Sequence, residues 1–478
     1  MNRRRHWWKG GVIYQIYPRS FADANGDGIG DLEGITRKLD YIGRLGVDGI
    51  WISPFFRSPM KDFGYDISDY RAVDPIFGDI DGFHRLLNKA HELGLKVVID
   101  QVLSHTSDQH RWFDESRSSR TNNKADWYVW ADPNPDGSPP NNWLAMFGDS
   151  AWTWDSRRRQ YYLHHFLASQ PDLNFHHPDV RAAQLDNLKF WLDLGVDGFR
   201  LDVVNFYYHS ANLQSNPAIA DPGRKSVATA PDNPYSYQQH IYDITQPENL
   251  EFLRQIRTLV DAYPDTVLIG EISDDDSLSV MSDYTEGGDK LHSAYTFDLL
   301  TANRTADYIR QVIARVANAF KDSWACWALS NHDVMRCRTR WGQNEDGPAF
   351  SRAAVALLLS LRGTICLYQG EELGFPDSDV PLEHMRDPYG LFFWPIFKGR
   401  DGCRTPMAWD ASSTGGFSTA EPWLPLDDAH RQISVEVQEQ DPSSCLHAIR
   451  ALIAWRQQQP ALLEGELTLL SNTGETLA

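Results

Sequence analysis

Positive charge is what this chain has least of. Its 45 Lys and Arg face 65 Asp and Glu, a formal charge of −20. A chain so acidic repels phosphate backbones, which excludes a nucleic-acid partner and disfavours an anionic membrane surface. Cysteine is scarce as well. Cys326, Cys337, Cys366, Cys403 and Cys445 are odd in number and scattered, which gives neither a disulfide framework nor a zinc spacing. Reduced thiols in a cytoplasm follow. No apolar run is long enough to span a bilayer. Arg3, Arg4 and Arg5 are followed by Trp7-Trp8-Lys9-Gly10, where a signal peptide would place its apolar core. A cytoplasmic protein with no membrane partner is expected. The first turns contain neither G-x-G-x-x-G nor a phosphate loop.

What is present is a large globular chain. It has 478 residues, 42% of them hydrophobic, enough for a sizeable core and more than one domain. Seventeen Trp and nineteen Tyr suit the flat faces of sugars, although most aromatics simply fill cores. Short apolar strands alternate with amphipathic helices. Strands are predicted at 12–17, 49–53, 95–100, 198–202, 267–270, 294–297, 324–330 and 364–368. Helices are predicted at 35–45, 79–93, 179–194, 249–262, 302–320, 351–361 and 443–458. Eight βα units of this kind predict an α/β fold, a (β/α)8 TIM barrel.

From 105 to 170 the rhythm breaks into Asn, Pro, Gly and Trp clusters, which reads as a small domain inserted after strand 3. The barrel is then 1–104 and 171–459. Residues 460–478 hold one strand-like piece, 464–470. The stretch from the end of strand 4 to Pro247 is irregular and reads as loop.

Four strand ends carry polar clusters: Asp100 to His105, Arg200 with Asp202, Glu271, and His332 with Asp333. In a parallel barrel these ends open on one face, so residues far apart in sequence converge. Arg200 and Asp202 are two apart and point the same way along a strand. Carboxylates crowded at one mouth repel each other unless they share charge with Arg or His. Such crowding makes sense if one stays ionised as a nucleophile while another keeps a proton to donate, the pair that retaining glycoside hydrolysis requires, about 5 Å apart. Taken singly, each of these residues reads more simply as a cap or a core ion pair. Four clusters at strand ends do not.

A separate signal lies in Asp23-Ala24-Asn25-Gly26-Asp27-Gly28-Ile29-Gly30-Asp31. Oxygen side chains alternate at positions one, three and five, with glycine at six and Asp at nine. That is a wrap for a hard cation, without the distal Glu of an EF-hand. A polar glycine-rich turn is the plainer reading.

These residues resemble the α-amylase family of glycoside hydrolases, and within it the α-glucosidase and oligo-1,6-glucosidase group. Asp100-Gln101-Val102-Leu103-Ser104-His105, Gly198 to Asp202, Glu271 after Ile269-Gly270, and Ser330-Asn331-His332-Asp333 match its four short regions. Gln170-Pro171-Asp172-Leu173-Asn174 resembles the fifth. Gly11 to Phe21 and Gly363 to Gly374 match two more, so the likeness covers nearly the whole chain.

The resemblance implies Asp202 as nucleophile, Glu271 as general acid and then base, and Asp333 as the group that binds sugar hydroxyls and stabilises the transition state. It implies Arg200 holding Asp202 in place, and His105 and His332 donating to the same glucosyl unit. Asp62 and Tyr65 after strand 2, and Arg400 after strand 8, would close the pocket on a terminal glucose and make the enzyme exo-acting. Phe147 and Phe166 are candidate apolar walls, as is Phe297, which equally suits the core. The resemblance also implies a structural Ca²⁺ or Mg²⁺ held by Asp23, Asn25, Asp27, the Ile29 carbonyl and Asp31, with no organic cofactor. Family members carry a C-terminal β-domain, of which 460–478 would be the truncated beginning.

The expected activity is release or transfer of α-D-glucose from short α-glucosides, with water, alcohols or sugars as acceptors. An α-1,4 linkage is expected, with α-1,6 as the alternative. Val203 after the nucleophile accompanies α-1,6 activity in this group, whereas the long loop after Asp202 and Phe206-Tyr207-Tyr208 look closer to α-1,4 enzymes. A sucrose isomerase reading lacks the Arg-Leu-Asp-Arg-Asp loop. A catalytically silent sugar- or partner-binding barrel is the non-enzymatic alternative, against which stand Asp202, Glu271 and Asp333.

Overall fold

The structure is a computed structural model that describes residues 6–219, 229–230, 232–295, 297–320, 323–342 and 347–470. Eight parallel strands form the centre: β1 (Val12–Ile16), β2 (Gly49–Ile52), β3 (Lys96–Gln101), β4 (Gly198–Leu201), β5 (Val267–Glu271), β6 (Ser293–Tyr295), β7 (Cys326–Ala328) and β8 (Thr364–Tyr368). The hydrogen-bonded order is β6-β5-β4-β3-β2-β1-β8-β7. A parallel bridge between Ala294 and Ala325 brings the two edges together. The result is the (β/α)8 barrel that the alternation predicts.

Each strand is followed by a helix of the outer ring: α1 (Leu32–Leu45), α2 (Ile80–Glu92), α3 (Pro178–Leu194), α4 (Asn249–Val260), α5 (Ser277–Thr285), α6 (Ala306–Ala319), α7 (Gly347–Ser360) and α8 (Cys445–Gln457). α1 shows why these segments are helical. Asp31 caps its first turn by accepting the Gly34 N–H at 2.6 Å. Leu32, Ile35, Leu39, Ile42 and Leu45 recur at helical spacing and are buried. Gly46, at φ 83°, ends it in the left-handed conformation that suits glycine.

The strands divide their side chains between two faces. Ile13, Trp51, Val98, Val267, Ile269, Tyr295, Cys326, Ala328 and Cys366 fill the barrel interior as one buried cluster. Val12, Ile50, Val97, Ile99, Phe199, Leu201, Leu268 and Ile365 face the helices and join the main core. Strand spacing fixes one glycine. A Cβ on Gly198 would lie 2.1 Å from the Val267 carbonyl oxygen, so no larger residue fits where β4 meets β5.

The stretch from 105 to 170 contains a helix, Arg111–Ser118, and a three-stranded antiparallel sheet of Trp130–Ala131, Gln160–Leu163 and Trp152–Asp155. Bridges from His105 to Asp172 and from Tyr128 to Leu173 close its two ends together.

Three expectations need revision. α5 has no predicted counterpart; it is short and lies between the Asp274-Asp275-Asp276 run and Gly287-Gly288, which hide its periodicity. The strand at 324–330 shrinks to Cys326–Ala328. The strand-like piece at 464–470 is not a strand: Glu464 ends the helix Pro460–Glu464, which begins on a proline suited to a first turn, and 465–470 takes no regular structure. Residues 471–478 lie outside the described set. Among the described residues no helix is long and apolar enough to cross a membrane.

Candidate active site

The C-terminal ends of β3, β4 and β5 deliver one buried charge cluster. Arg200, 1% exposed, projects inward from β4. One of its terminal nitrogens lies 2.8 Å and 3.0 Å from the two Asp100 oxygens and 2.7 Å from Asp202 Oδ1. The other lies 2.6 Å from Glu271 Oε2 and donates to the Tyr295 hydroxyl at 3.0 Å. Tyr295 in turn donates to Glu271 Oε1 at 3.0 Å. Trp51 and Tyr65 each donate to Asp100 Oδ2 at 3.2 Å. Three carboxylates therefore share one guanidinium, and full ionisation would leave two uncompensated negative charges. Burial, opposed by Arg200 and reinforced by Glu271 and Asp100, pushes Asp202 well up. Asp100 is pushed up to about 6, again chiefly by burial.

The backbone turns sharply just after the nucleophile candidate. Val203 has φ 33°, left-handed space that a β-branched residue rarely enters. The turn aims the Val203 N–H at Glu271 Oε2, 3.2 Å away. Strain is thus stored beside the reacting carboxylate and held by the packing around it.

The opposite wall is built from the loops after β2, β7 and β8. His332 lies between the rings of Tyr17 and Tyr65, stacked at 5.6 Å and 5.3 Å. Gln15 meets its Nδ1 at 2.8 Å, and its Nε2 lies 3.1 Å from Asp333 Oδ2. Burial holds this imidazole neutral, its pKa lowered to about 3. Asp333 is bound by Arg404 at 2.7 Å and Arg400 at 3.2 Å. Burial works against its charge, but His332, Arg404 and Arg400 hold its carboxyl well below the usual range. Arg400 also grips Asp62 at 2.8 Å and Asp387 at 2.8 Å. Gln170 ties the other Asp62 oxygen at 3.1 Å and meets His105 at 3.2 Å.

Between the two walls lies a cleft of about 250 Å³, lined by Asp62, Tyr65, His105, Phe147, Phe166, Asp202, Glu271, Asp333 and Arg400, with Phe297 at its edge. Phe147 stacks on Tyr389 at 4.7 Å and lies 4.9 Å beneath Arg400. Phe166 stacks on Phe206 at 5.7 Å and meets His105 at 5.2 Å. Phe297 also belongs to the barrel-interior cluster, so both of its readings hold. Arg200 and His332 stand just behind the lining side chains.

Four participants escape the sequence reading: Gln170, Tyr295, Asp387 and Arg404. Gln170 sits inside a quoted motif and Arg404 four residues beyond Arg400, where nothing in the spacing singled them out. Asp387 precedes Pro388 and caps a short helix, so its sequence signal is that of a turn. Tyr295 is an inward position of β6, indistinguishable from core.

The Asp23–Asp31 loop is folded by its own backbone. Asp23 accepts the N–H groups of Asn25, Gly26 and Gly28 at 2.9, 2.7 and 2.8 Å. Asn25 and Asp27 accept those of Asp27 and Ile29, each at 2.9 Å. Asp31 is the cap of α1 and also accepts from Ala24 at 3.0 Å. Among the described residues no three His, Cys, Asp or Glu side chains cluster as a metal site.

The α-amylase catalytic-domain profile matches residues 15–465. This chain belongs to the α-amylase family. A probable α-glucosidase of Rhizobium meliloti (strain 1021) is 55% identical over 477 residues, covering 99% of this chain and 86% of that protein. An oligo-1,6-glucosidase of Heyndrickxia coagulans is 38% identical, covering 97% of this chain and 87% of that protein. The crystal structure of the α-glucosyl transfer enzyme XgtA superposes with a TM-score of 0.98 at 58% identity, covering 99% of this chain and 88% of that one. The chain is a glycoside hydrolase of the glucosidase and transglucosidase kind.

Proposed function

We propose that this enzyme is a retaining, exo-acting α-glucosidase that prefers short α-1,4-glucosides. The carrying observation is the bridge made by Arg200: its two terminal nitrogens hold Asp202 and Glu271 at 2.7 Å and 2.6 Å. Two carboxylates held by one guanidinium form a close pair, as a covalent intermediate requires. Asp202 attacks the anomeric carbon while Glu271 protonates the glycosidic oxygen, and the bond to the leaving group breaks. Glu271, now ionised, takes the proton of the incoming hydroxyl, whose oxygen displaces Asp202. Asp333 stays ionised throughout and faces the developing positive charge of the sugar. The Asp62–Arg400–Asp387 network closes the pocket beyond one terminal glucose, which supports exo action.

Transfer to alcohols is a second reading, supported by the rim. Leu391, Phe392, Trp394 and Ile396 are 48%, 60%, 37% and 61% exposed beside Tyr389 and Phe397, which line the cleft. An apolar rim of this kind favours an apolar acceptor over water. The free state of the five thiols supports a reducing, cytoplasmic setting. We also propose that Asp23, Asn25, Asp27, Asp31 and the Ile29 carbonyl hold Ca²⁺ or Mg²⁺, because the side-chain oxygens of Asn25, Asp27 and Asp31 keep acceptor capacity beyond their N–H contacts; Asp23 would exchange some of its four hydrogen bonds for the cation. Chelation would then lower Tm, and re-addition would restore it; an unchanged Tm with no bound metal removes this proposal.

The test is glucose release from maltose, isomaltose and soluble starch, with the anomer followed by NMR, alongside Asp202→Ala. α-Glucose from the disaccharides, maltose faster, little from starch, and at least a ~10⁴-fold loss in the variant are expected. Initial β-glucose would overturn retention. No turnover of any α-glucoside by folded protein would overturn the enzyme reading.

A further inference from the structure

A second cleft opens at the other end of the barrel, away from the reacting carboxylates. Its residues sit just before strands rather than after them: Trp8 and Lys9 before β1, His292 before β6, Trp324 before β7 and Arg362 before β8. Parallel strands put all of these at one end, opposite Asp202 and Glu271. The cleft holds about 610 Å³.

Its lining sets three cations, Lys9, Arg257 and Arg362, against two carboxylates, Asp261 and Asp265. The Lys9 ammonium lies 5.5 Å from the Trp8 ring and 5.6 Å from the Trp324 ring. The Arg362 guanidinium lies 4.4 Å from the Trp324 ring and spends only its Nε, on the Gly465 carbonyl at 3.1 Å. Among the described residues neither cation has a carboxylate within ion-pair distance. His292 accepts the Leu268 N–H through Nδ1 at 3.0 Å, so its ring proton is on Nε2. The Trp324 Nε1–H is buried and has no partner. Of the two carboxylates Asp261 is engaged, with Arg257 at 2.6 Å, and the lining keeps one positive charge in excess. In a chain of charge −20, that excess is a local exception to the overall field.

We propose that this cleft binds a small phosphate monoester of a sugar. The ammonium and guanidinium supply charge-assisted donors for a tetrahedral oxyanion. His292 Nε2–H and Trp324 Nε1–H add neutral donors. The edges of Trp8 and Trp324 offer apolar surface to a sugar ring, and the volume exceeds what a bare phosphate needs. The site is independent of the glucosidase reading, because none of its residues touches the catalytic cleft.

The experiment is calorimetric titration of the full chain at physiological salt with glucose 6-phosphate, inorganic phosphate and glucose. It is repeated on Lys9→Ala/Arg362→Ala and on Trp324→Phe, with Tm and maltose hydrolysis measured on each. Saturable binding of glucose 6-phosphate is expected, with inorganic phosphate weaker and glucose unaffected by either variant. The double variant should lose at least about tenfold in affinity, with maltose hydrolysis unchanged. Trp324→Phe keeps the ring, removes the N–H and should weaken binding several-fold, which decides the matter if the double variant does not fold. Equal affinity for phosphate and glucose 6-phosphate would point to a bare anion site and overturn the sugar ester. Absence of saturable binding at millimolar ligand, or variants that bind as the parent does, overturns the site.

Discussion

Asp202 and Asp333 face the same cleft from opposite walls, and their surroundings are charged in opposite ratios. Around Asp202 three carboxylates divide one guanidinium. Around Asp333 two guanidiniums, Arg400 and Arg404, converge on one carboxylate. Asp202 is buried and Asp333 a quarter exposed, and desolvation acts on each in the same direction. The outcome differs because the count of partners differs: Asp202 is pushed up and Asp333 is held down. Charge stoichiometry, more than burial, assigns the roles. The Asp202 wall can hold and pass a proton; the Asp333 wall is a fixed negative charge.

The comparison can be broken most severely at its fixed charge. Asp333→Asn removes the anion and leaves Arg400 and Arg404 facing a sugar that develops positive charge. A loss of roughly 10³-fold or more in kcat/KM is expected, with folding retained; a loss under tenfold would show that the wall does not act on the transition state. Next is Arg400→Gln, which leaves Asp387 buried and unpaired. Stability should fall by roughly 3–5 kcal/mol, and KM should rise by about 10²-fold as Asp62 loses its anchor. Thermal melts and steady-state kinetics separate the two effects.

The Asp202 wall is sharpened by pH. With Asp202 as the nucleophile, attack requires its ionised form, and burial pushes its carboxyl well above the usual carboxylate range. Activity is therefore present above that raised value and lost as pH falls through it. The acid limb of kcat/KM should lie above the range of an ordinary aspartate, with a decline of about tenfold per unit below it, and an acid limb near 4 would mean that Arg200 fully compensates the crowding. The smallest effect is expected at the strained turn between the walls. Val203→Thr should shift the ratio of maltose to isomaltose turnover toward maltose by only a few-fold, measured as the ratio of the two kcat/KM values.

Much of this was readable before any coordinates. The strand-helix alternation placed eight units, and β8 at Thr364–Tyr368 matches its expected span to the residue. The motifs placed Asp202, Glu271, Asp333, Asp62 and Arg400 on one face. What they did not show was who shares charge with whom. Asp387 contacts Arg400 from thirteen residues away in the chain, and Tyr295 reaches Glu271 from the neighbouring strand. No local pattern encodes such contacts, because side chains of one periodicity serve core and site alike. The Asp31 cap shows the converse. One spacing fits both a cation loop and a helix N-terminus, and the Gly34 N–H shows that one oxygen of the carboxylate caps α1, a role the spacing did not single out.

By itself the sequence determined the barrel and put Asp202, Glu271 and Asp333 at strand ends, because hydrophobic period and strand-end position are local properties of the chain. Tertiary structure alone decided the balance of protons in the cleft and the donor-rich cleft at its far end. Both depend on how many charges of each sign the closed barrel brings within a few ångströms, and that count is set only when distant strand ends meet.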